Sequence, residues 1–384
     1  MTQAVSPTPP NPAKPAGGLE GVVAAKSDVC FINGTEGVLI YRGYDIGDVV
    51  ENLSFEEVAF LLWEGKLPNR AELTSLKQEL SRSMVLPKHV KDFLRSTPKE
   101  TEPMDALRTA ASALGATDPD LHSNDHDANR RKAIRLTAEF PTIVTAFHRL
   151  RHGQEPIEPD PKLSVAANFL YMLNGKKPHE TLVRVMDAAL VLHAEHGMNA
   201  STFAARVIAA TLADMHAAVA GAVAALKGPL HGGANQDVME LLLECGDADK
   251  AEKKVRDMLA NKQKVPGFGH RVYRTFDPRA TFLRKMSKQL GEAAGNTKWY
   301  EMSERLIGVA KEAKNLNPNV DFFSASTYYT MGIPLDLFTP IFAVARIAGW
   351  TAHIMEQHSN NRIIRPTDDY TGPFGLKVVP IEQR

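Results

Sequence analysis

With 384 residues the chain is too long for one ordinary hydrophobic core and calls for two domains or one large helical one. Its 45 Lys+Arg balance 45 Asp+Glu, which argues against general nucleic-acid binding but leaves room for a local anion site. Hydrophobic and charged contents of 43% and 23% are those of a soluble globular enzyme, and two cysteines, Cys30 and Cys245, are too few for a disulfide framework and fit a reducing cytoplasm.

Residues 1–18 carry five prolines and no basic segment followed by an apolar run, so a disordered tail is expected there and not a signal peptide. Residues 29–32 and 38–41 are short β-type runs around Asn33-Gly34, a hairpin signal and the main strand content. Ser54-Phe55-Glu56-Glu57 is a capping box opening a helix through Trp63, and residues 69–84 repeat leucine at helical spacing. Further helices are expected over 104–114, 128–150 with a bend at Pro141, 164–173 and 179–196, punctuated by Pro98, Pro161 and Pro178. The alanine-rich stretch 199–226 suits a close helix–helix contact, within the chain or between subunits. Its apolar part is broken by Arg206, Asp214 and His216, which argues against a membrane span. Helices follow near 236–245, 249–261, 280–290, 298–314, 322–331 and 337–356. The expected class is mainly α, with a smaller lobe over 229–328 hinged on glycines.

Two loops concentrate the chemistry. Gly228-Pro229-Leu230-His231-Gly232-Gly233-Ala234-Asn235 sets His231 just before a helix start, where the partial positive charge favours a neutral ring that donates a hydrogen bond without carrying charge. Pro266-Gly267-Phe268-Gly269-His270-Arg271 presents His270, then Arg274 and Arg279, the last placed by Asp277-Pro278 either in a solvated face or inward, toward a carboxylate. His193 and His196 stand three apart at the expected end of a helix, on one face, as structural histidines or, for His196, as an anion ligand. HExxH and CxxC are absent, so no metal is expected. Asp321 reads either as a helix N-cap or, beside Phe322 and Phe323, as a desolvated carboxylate with a raised pKa and the character of a base. Arg346 and Arg365 lie in apolar surroundings and need anionic partners, from the protein or a ligand. The His122–Asp127 segment reads as a solvated loop. Walker A, GxGxxG, GxSxG and kinase motifs are missing.

In this order, the motifs resemble the citrate synthase family. The resemblance runs from about residue 18 to the C-terminus, through Gly18-Leu19-Glu20-Gly21-Val22-Val23-Ala24, Tyr41-Arg42-Gly43-Tyr44-Asp45-Ile46 and Phe55-Glu56-Glu57-Val58-Ala59. It continues through His193-xx-His196, the His231 and His270 loops, Asp277-Pro278-Arg279, Asp321 and Arg365-Pro366. It implies a multihelical homodimer, each subunit with a large domain (19–228 plus 329–384) and a small one (229–328) that close over two substrates. It further implies that Asp321 takes a proton from the methyl group of acetyl-CoA while His231 donates to the thioester oxygen, and that His270 polarises the ketone of oxaloacetate. His196, Arg279, Arg346 and, from the partner subunit, Arg365 would hold the oxaloacetate carboxylates. Val265, Pro266, Gly267, Phe268 and Gly269 would cradle the adenine, and Arg274 would meet CoA phosphates. No metal or cofactor is implied. Citrate is the expected product; 2-methylcitrate, from propionyl-CoA, is the near alternative. A simple dimer is expected, without the β-rich N-terminal domain of the hexameric, NADH-inhibited members.

Overall fold

A computed structural model describes residues 17–19 and 21–384; the tail expected over 1–18 therefore lies, but for Gly17 and Gly18, outside the described residues. The expected hairpin is present: β1 (Cys30–Asn33) pairs antiparallel with β2 (Val38–Tyr41), Cys30 opposite Tyr41 and Asn33 opposite Val38. Its turn is longer than the Asn-Gly pair alone suggests. The Asn33 side chain accepts from the Thr35 and Glu36 amides at 3.0 and 3.2 Å, and Gly37 closes the loop with φ 72°. A two-residue β3 (Tyr44–Asp45) extends the sheet beside β2. Alternation along β2 buries Leu39 and Tyr41.

The remainder is helical: α1 (Ile46–Asn52), α2 (Phe55–Glu64), α3 (Arg70–Ser83), α4 (Lys88–Ser96), α5 (Pro103–Leu114), α6 (His126–Arg151), α7 (Val165–Asn174) and α8 (Glu180–His193) come first. They are followed by α9 (Ala200–Ala209), α10 (Met215–Lys227), α11 (Ala234–Cys245), α12 (Ala248–Ala260), α13 (Pro278–Ala293), α14 (Lys298–Lys314), α15 (Val320–Thr330) and α16 (Phe338–Ser359). The Ser54–Glu57 capping box forms as expected at the start of α2. Two helices escape the periodicity argument: α1 is too short to show a 3.6-residue repeat, and α4 follows Pro87 with no capping side chain.

One expectation is corrected. The helix anticipated through His196 ends at His193, so His193 and His196 do not share a helical face. The reason is non-local: Tyr41 Oη donates to the Glu195 carbonyl at 2.7 Å and accepts from the Glu195 amide at 3.2 Å, taking backbone groups that another helical turn would use. The alanine-rich stretch is two helices, α9 and α10, separated at Leu212 (φ 66°) and restarted by the Asp214 cap. They pack on each other within the chain, closely enough that a Cβ at Gly221 would meet Ile208 Cδ1 at 2.2 Å.

The core is centred on α16, which packs against α2, α6, α8, α9 and α10 and buries nearly every side chain, Arg346 and Trp350 included. The segment Leu335–Ser359 is long and apolar enough to cross a membrane, but its apolar window is wholly buried inside the protein. Helices α11 to α15 pack chiefly on one another, α13 on α15 and α12 on α14, with α11 reaching α16 and α13 reaching α1 and α8.

Candidate active site

The turn after α8 presents His196, buried, with Nε2 3.1 Å from Tyr273 Oη and its ring 5.1 Å from that of His270. Burial, then the charge of Arg279, holds His196 well below the ordinary imidazole pKa. His193 is also buried and neutral, pushed down to about 3 by burial; its Nδ1–H donates to the Ala189 carbonyl at 2.8 Å, and its Nε2 has no partner.

His231 lies on the turn leading into α11. That turn is pinned from both sides: Thr339 donates to the Gly232 carbonyl at 3.0 Å, and a Cβ on Gly232 would lie 2.3 Å from the Leu226 carbonyl oxygen. The Ser201 amide meets His231 Nε2 at 3.3 Å and the Ser201 hydroxyl meets it at 2.9 Å. An amide N–H only donates, so Nε2 is an acceptor and the ring proton sits on Nδ1. The ring is neutral as expected, but for a different main reason: burial, then the nearby charge of Arg346, lowers its pKa to about 4.

His270 is held in the complementary tautomer. Its Nδ1 accepts from the Val272 and Tyr273 amides at 3.0 and 3.1 Å, which leaves the proton on Nε2, and burial followed by the charge of Arg279 lowers its pKa to about 4. The loop before it is bound to the segment entering α15. Gly269 N donates to Asn317 O at 3.0 Å, Asn319 N to Gly267 O at 2.9 Å, and Asn319 Nδ2 to Gly269 O at 2.9 Å. Gly267 and Gly269 both take positive φ, and the Phe268 ring packs tilted against that of Phe322, centroids 4.5 Å apart. A Cβ at Gly267 would fall 2.7 Å from both Phe322 and Val238. Gly267→Ala is therefore expected to lower stability by about 1–3 kcal/mol, read as a depressed Tm in calorimetry; an unchanged Tm would show that this contact is slack.

The same Asn319 decides what Asp321 does. Asn319 caps α15 by accepting from the Asp321 amide at 3.0 Å, so the Asp321 carboxylate is not the cap, and its buried Oδ1 has no hydrogen-bond partner. Burial raises its pKa to about 7, against the opposing charge of Arg279. Arg279 is buried with both edges of its own Asp277: Nε reaches Oδ1 at 3.0 Å and Nη2 reaches Oδ2 at 2.8 Å. Asp277 Oδ2 also accepts from the Val320 amide at 3.0 Å, tying the starts of α13 and α15 together. Arg346 donates through Nε to the His193 carbonyl at 2.7 Å and lies over the Phe342 ring at 4.7 Å. Burial lowers its pKa, and its charge is felt at His193, His196, His231 and Asp321.

Arg365 is not part of this cluster within one chain; it sits on the exposed C-terminal segment after α16. Arg274 is exposed too, its amide bonded to the Gly34 carbonyl at 2.8 Å. The His122–Asp127 segment is mostly exposed, and Asp125 caps α6.

A family model for the citrate synthase C-terminal domain matches residues 18–367. The chain belongs to the citrate synthase family. It is 52% identical over 368 residues to citrate synthase 2 of Bacillus subtilis (strain 168), covering 96% of this chain and 98% of that protein. It is also 43% identical over 368 residues to a 2-methylcitrate synthase of Shewanella oneidensis, covering 96% and 97%. Among solved structures, the ternary complex of carboxymethyl coenzyme A and oxaloacetate with citrate synthase from Thermoplasma acidophilum superposes with a TM-score of 0.91 at 32% identity, over 96% of this chain and 99% of that one.

Within this citrate synthase fold, sequence reasoning missed the side chains that aim the site: Tyr41, Asn199, Ser201, Tyr273, Asp277 and Asn319. Asn199, Asp277 and Asn319 could have been found, since each stands in cap position before a helix. The others contact partners far along the chain, and nothing local marks them.

Proposed function

We propose that this protein condenses acetyl-CoA with oxaloacetate and water to give citrate and CoA. The observation that carries the reading is that an unpartnered buried carboxylate oxygen, on Asp321, feels both Arg279 and Arg346, the charges felt in turn by two neutral histidines whose protons lie on opposite nitrogens, His270 Nε2 beside Arg279 and His231 Nδ1 beside Arg346. In the proposed sequence, Asp321 takes a methyl proton from acetyl-CoA while His231 Nδ1–H donates to the thioester oxygen, on which the negative charge develops. The enolate carbon attacks the ketone carbon of oxaloacetate, and His270 Nε2–H delivers a proton to the new alkoxide. Water then cleaves the thioester, releasing citrate and the CoA thiol. No metal or cofactor enters this reading, because the two N–H groups supply the electrophilic assistance.

His196, Arg279 and Arg346 are proposed to bind the oxaloacetate carboxylates, with Arg365 supplied by the partner subunit of a homodimer. The exposed apolar residues of the C-terminal segment, among them Phe374, Leu376 and Val378, support a second copy as the surface they meet. Val265 to Gly269 are proposed to cradle the adenine of CoA and Arg274 to contact its phosphates. We further propose that 229–328 is a small domain closing on a large one made of 19–228 and 329–384, which keeps water from the enolate, and that the enzyme serves the tricarboxylic acid cycle in the cytoplasm.

The deciding assay is release of free CoA thiol from acetyl-CoA, which is expected only when oxaloacetate is present; release independent of oxaloacetate would overturn the reading. Comparing kcat/KM for acetyl-CoA and propionyl-CoA separates citrate from 2-methylcitrate formation, and a preference for propionyl-CoA would move the assignment to the second. Light scattering is expected to give the mass of a dimer.

A further inference from the structure

We propose that Tyr273 is a positioning residue for oxaloacetate binding, its buried hydroxyl holding the His196 ring at a fixed angle to His270 so that both imidazoles meet the same small molecule. This rests on the reading above that gives His196 and His270 to oxaloacetate. Tyr273 touches both histidines. Its amide donates to His270 Nδ1 at 3.1 Å, and its hydroxyl lies 3.1 Å from His196 Nε2. Its ring centroid is 4.7 Å from that of His270 and 5.5 Å from that of His196. Burial pushes the Tyr273 phenol up and the His196 imidazole down, so one hydrogen bond joins two uncharged groups, whichever of them donates. Among the described residues the His196 ring has no other hydrogen-bond partner.

The contact joins two backbones that are each fixed independently. His196 stands on the turn after α8, where Asn199 Nδ2 donates to the His196 and Gly197 carbonyls at 3.4 and 3.3 Å. Tyr273 stands on the loop whose start is bound to the segment entering α15, and the next amide, of Arg274, donates to Gly34 O at 2.8 Å. The freedom left to His196 is rotation of its ring about the Cβ–Cγ bond, and the Tyr273 hydroxyl stops it. Without that hydroxyl Nε2 is buried with no partner, and a half-turn of the ring exchanges nitrogen for carbon at the positions it presents to a ligand. The bond is made in the ground state and the transition state alike, so its loss falls on binding.

The test is a double-mutant cycle with a spectroscopic readout. Tyr273→Phe is expected to raise the KM for oxaloacetate on the order of tenfold, with kcat and the KM for acetyl-CoA within about twofold of the parent. It is expected to have no further effect once His196→Ala is present. Nitrogen-15 NMR is expected to show the His196 Nε2 resonance displaced in Tyr273→Phe while that of His270 Nδ1, bonded to backbone amides, stays in place. An unchanged KM for oxaloacetate, multiplicative losses across the cycle, or displacement of both resonances would overturn the proposal by reducing Tyr273 to packing. Should Tyr273→Phe fail to fold, p-aminophenylalanine at position 273 keeps a hydrogen-bonding group at the same reach. It is expected to leave the KM for oxaloacetate within about threefold of the parent, and a tenfold rise would overturn the proposal. Failure of the underlying reading has its own signal, a KM for oxaloacetate that His196→Ala alone leaves unchanged.

Discussion

Replacing Asp321 by asparagine is expected to lower kcat for CoA release by about 100- to 10,000-fold while the fold is retained. The argument starts from Asn319, which caps α15 and so leaves the Asp321 carboxylate without a structural task. Burial holds that carboxyl near a pKa of about 7, poised between accepting and releasing a proton in neutral solution. In the parent enzyme kcat/KM is expected to rise with pH through about 7 as Asp321 ionises, while His231 and His270, at about 4, stay neutral over that range and add no limb there. Residual activity of the asparagine variant should lack the limb.

The same substitution carries a thermodynamic signature. The folded state holds the Asp321 proton more tightly than the unfolded chain, so folding stability falls as pH rises from about 4 to about 7 and stays lowered above that. The asparagine variant escapes this penalty, on the order of 4 kcal/mol. Its Tm is therefore expected to exceed that of the parent above neutrality and to match it in acid. A variant less stable than the parent at about pH 8 would mean that Asp321 has a structural partner after all.

The second large effect is expected at His231. Its replacement by alanine removes a half-buried N–H fixed on Nδ1, and in the proposed role loss of one such donor costs about 100- to 1,000-fold in kcat. The KM for acetyl-CoA should move far less, because in the proposed sequence the hydrogen bond strengthens only as the thioester oxygen becomes negative. Stopped-flow or steady-state thiol release checks this; a loss below about tenfold would place the oxygen against another donor.

Much of the fold was legible in the sequence where the cause was local. The hairpin, the Ser54 box and most helices follow from turn chemistry and periodicity, and the direction of the Asp321 pKa was legible from the apolar residues beside it, its cause in the structure being burial. Where the cause lay across the chain, the reading went astray or stopped. The helix through His196 was cut short by Tyr41, a residue of β2, and the neutrality of His231 comes mainly from burial and Arg346 rather than from the helix it precedes. Ser201 and Tyr273 were silent because a hydroxyl acquires its meaning only from what tertiary packing sets opposite it.

The N-terminal hairpin is fastened at both ends. Tyr41 grips the turn before His196, while a Cβ at Gly34 would lie 2.1 Å from the Val272 carbonyl oxygen, and Gly34 O accepts from Arg274 N just past His270. A ribbon only four residues long on each side thus works as a calliper, fixing the span between the two imidazoles. Adding a side chain to the glycine at its tip would open the jaws, so that damage remote from any ligand would register first as poor grip on a small dicarboxylate.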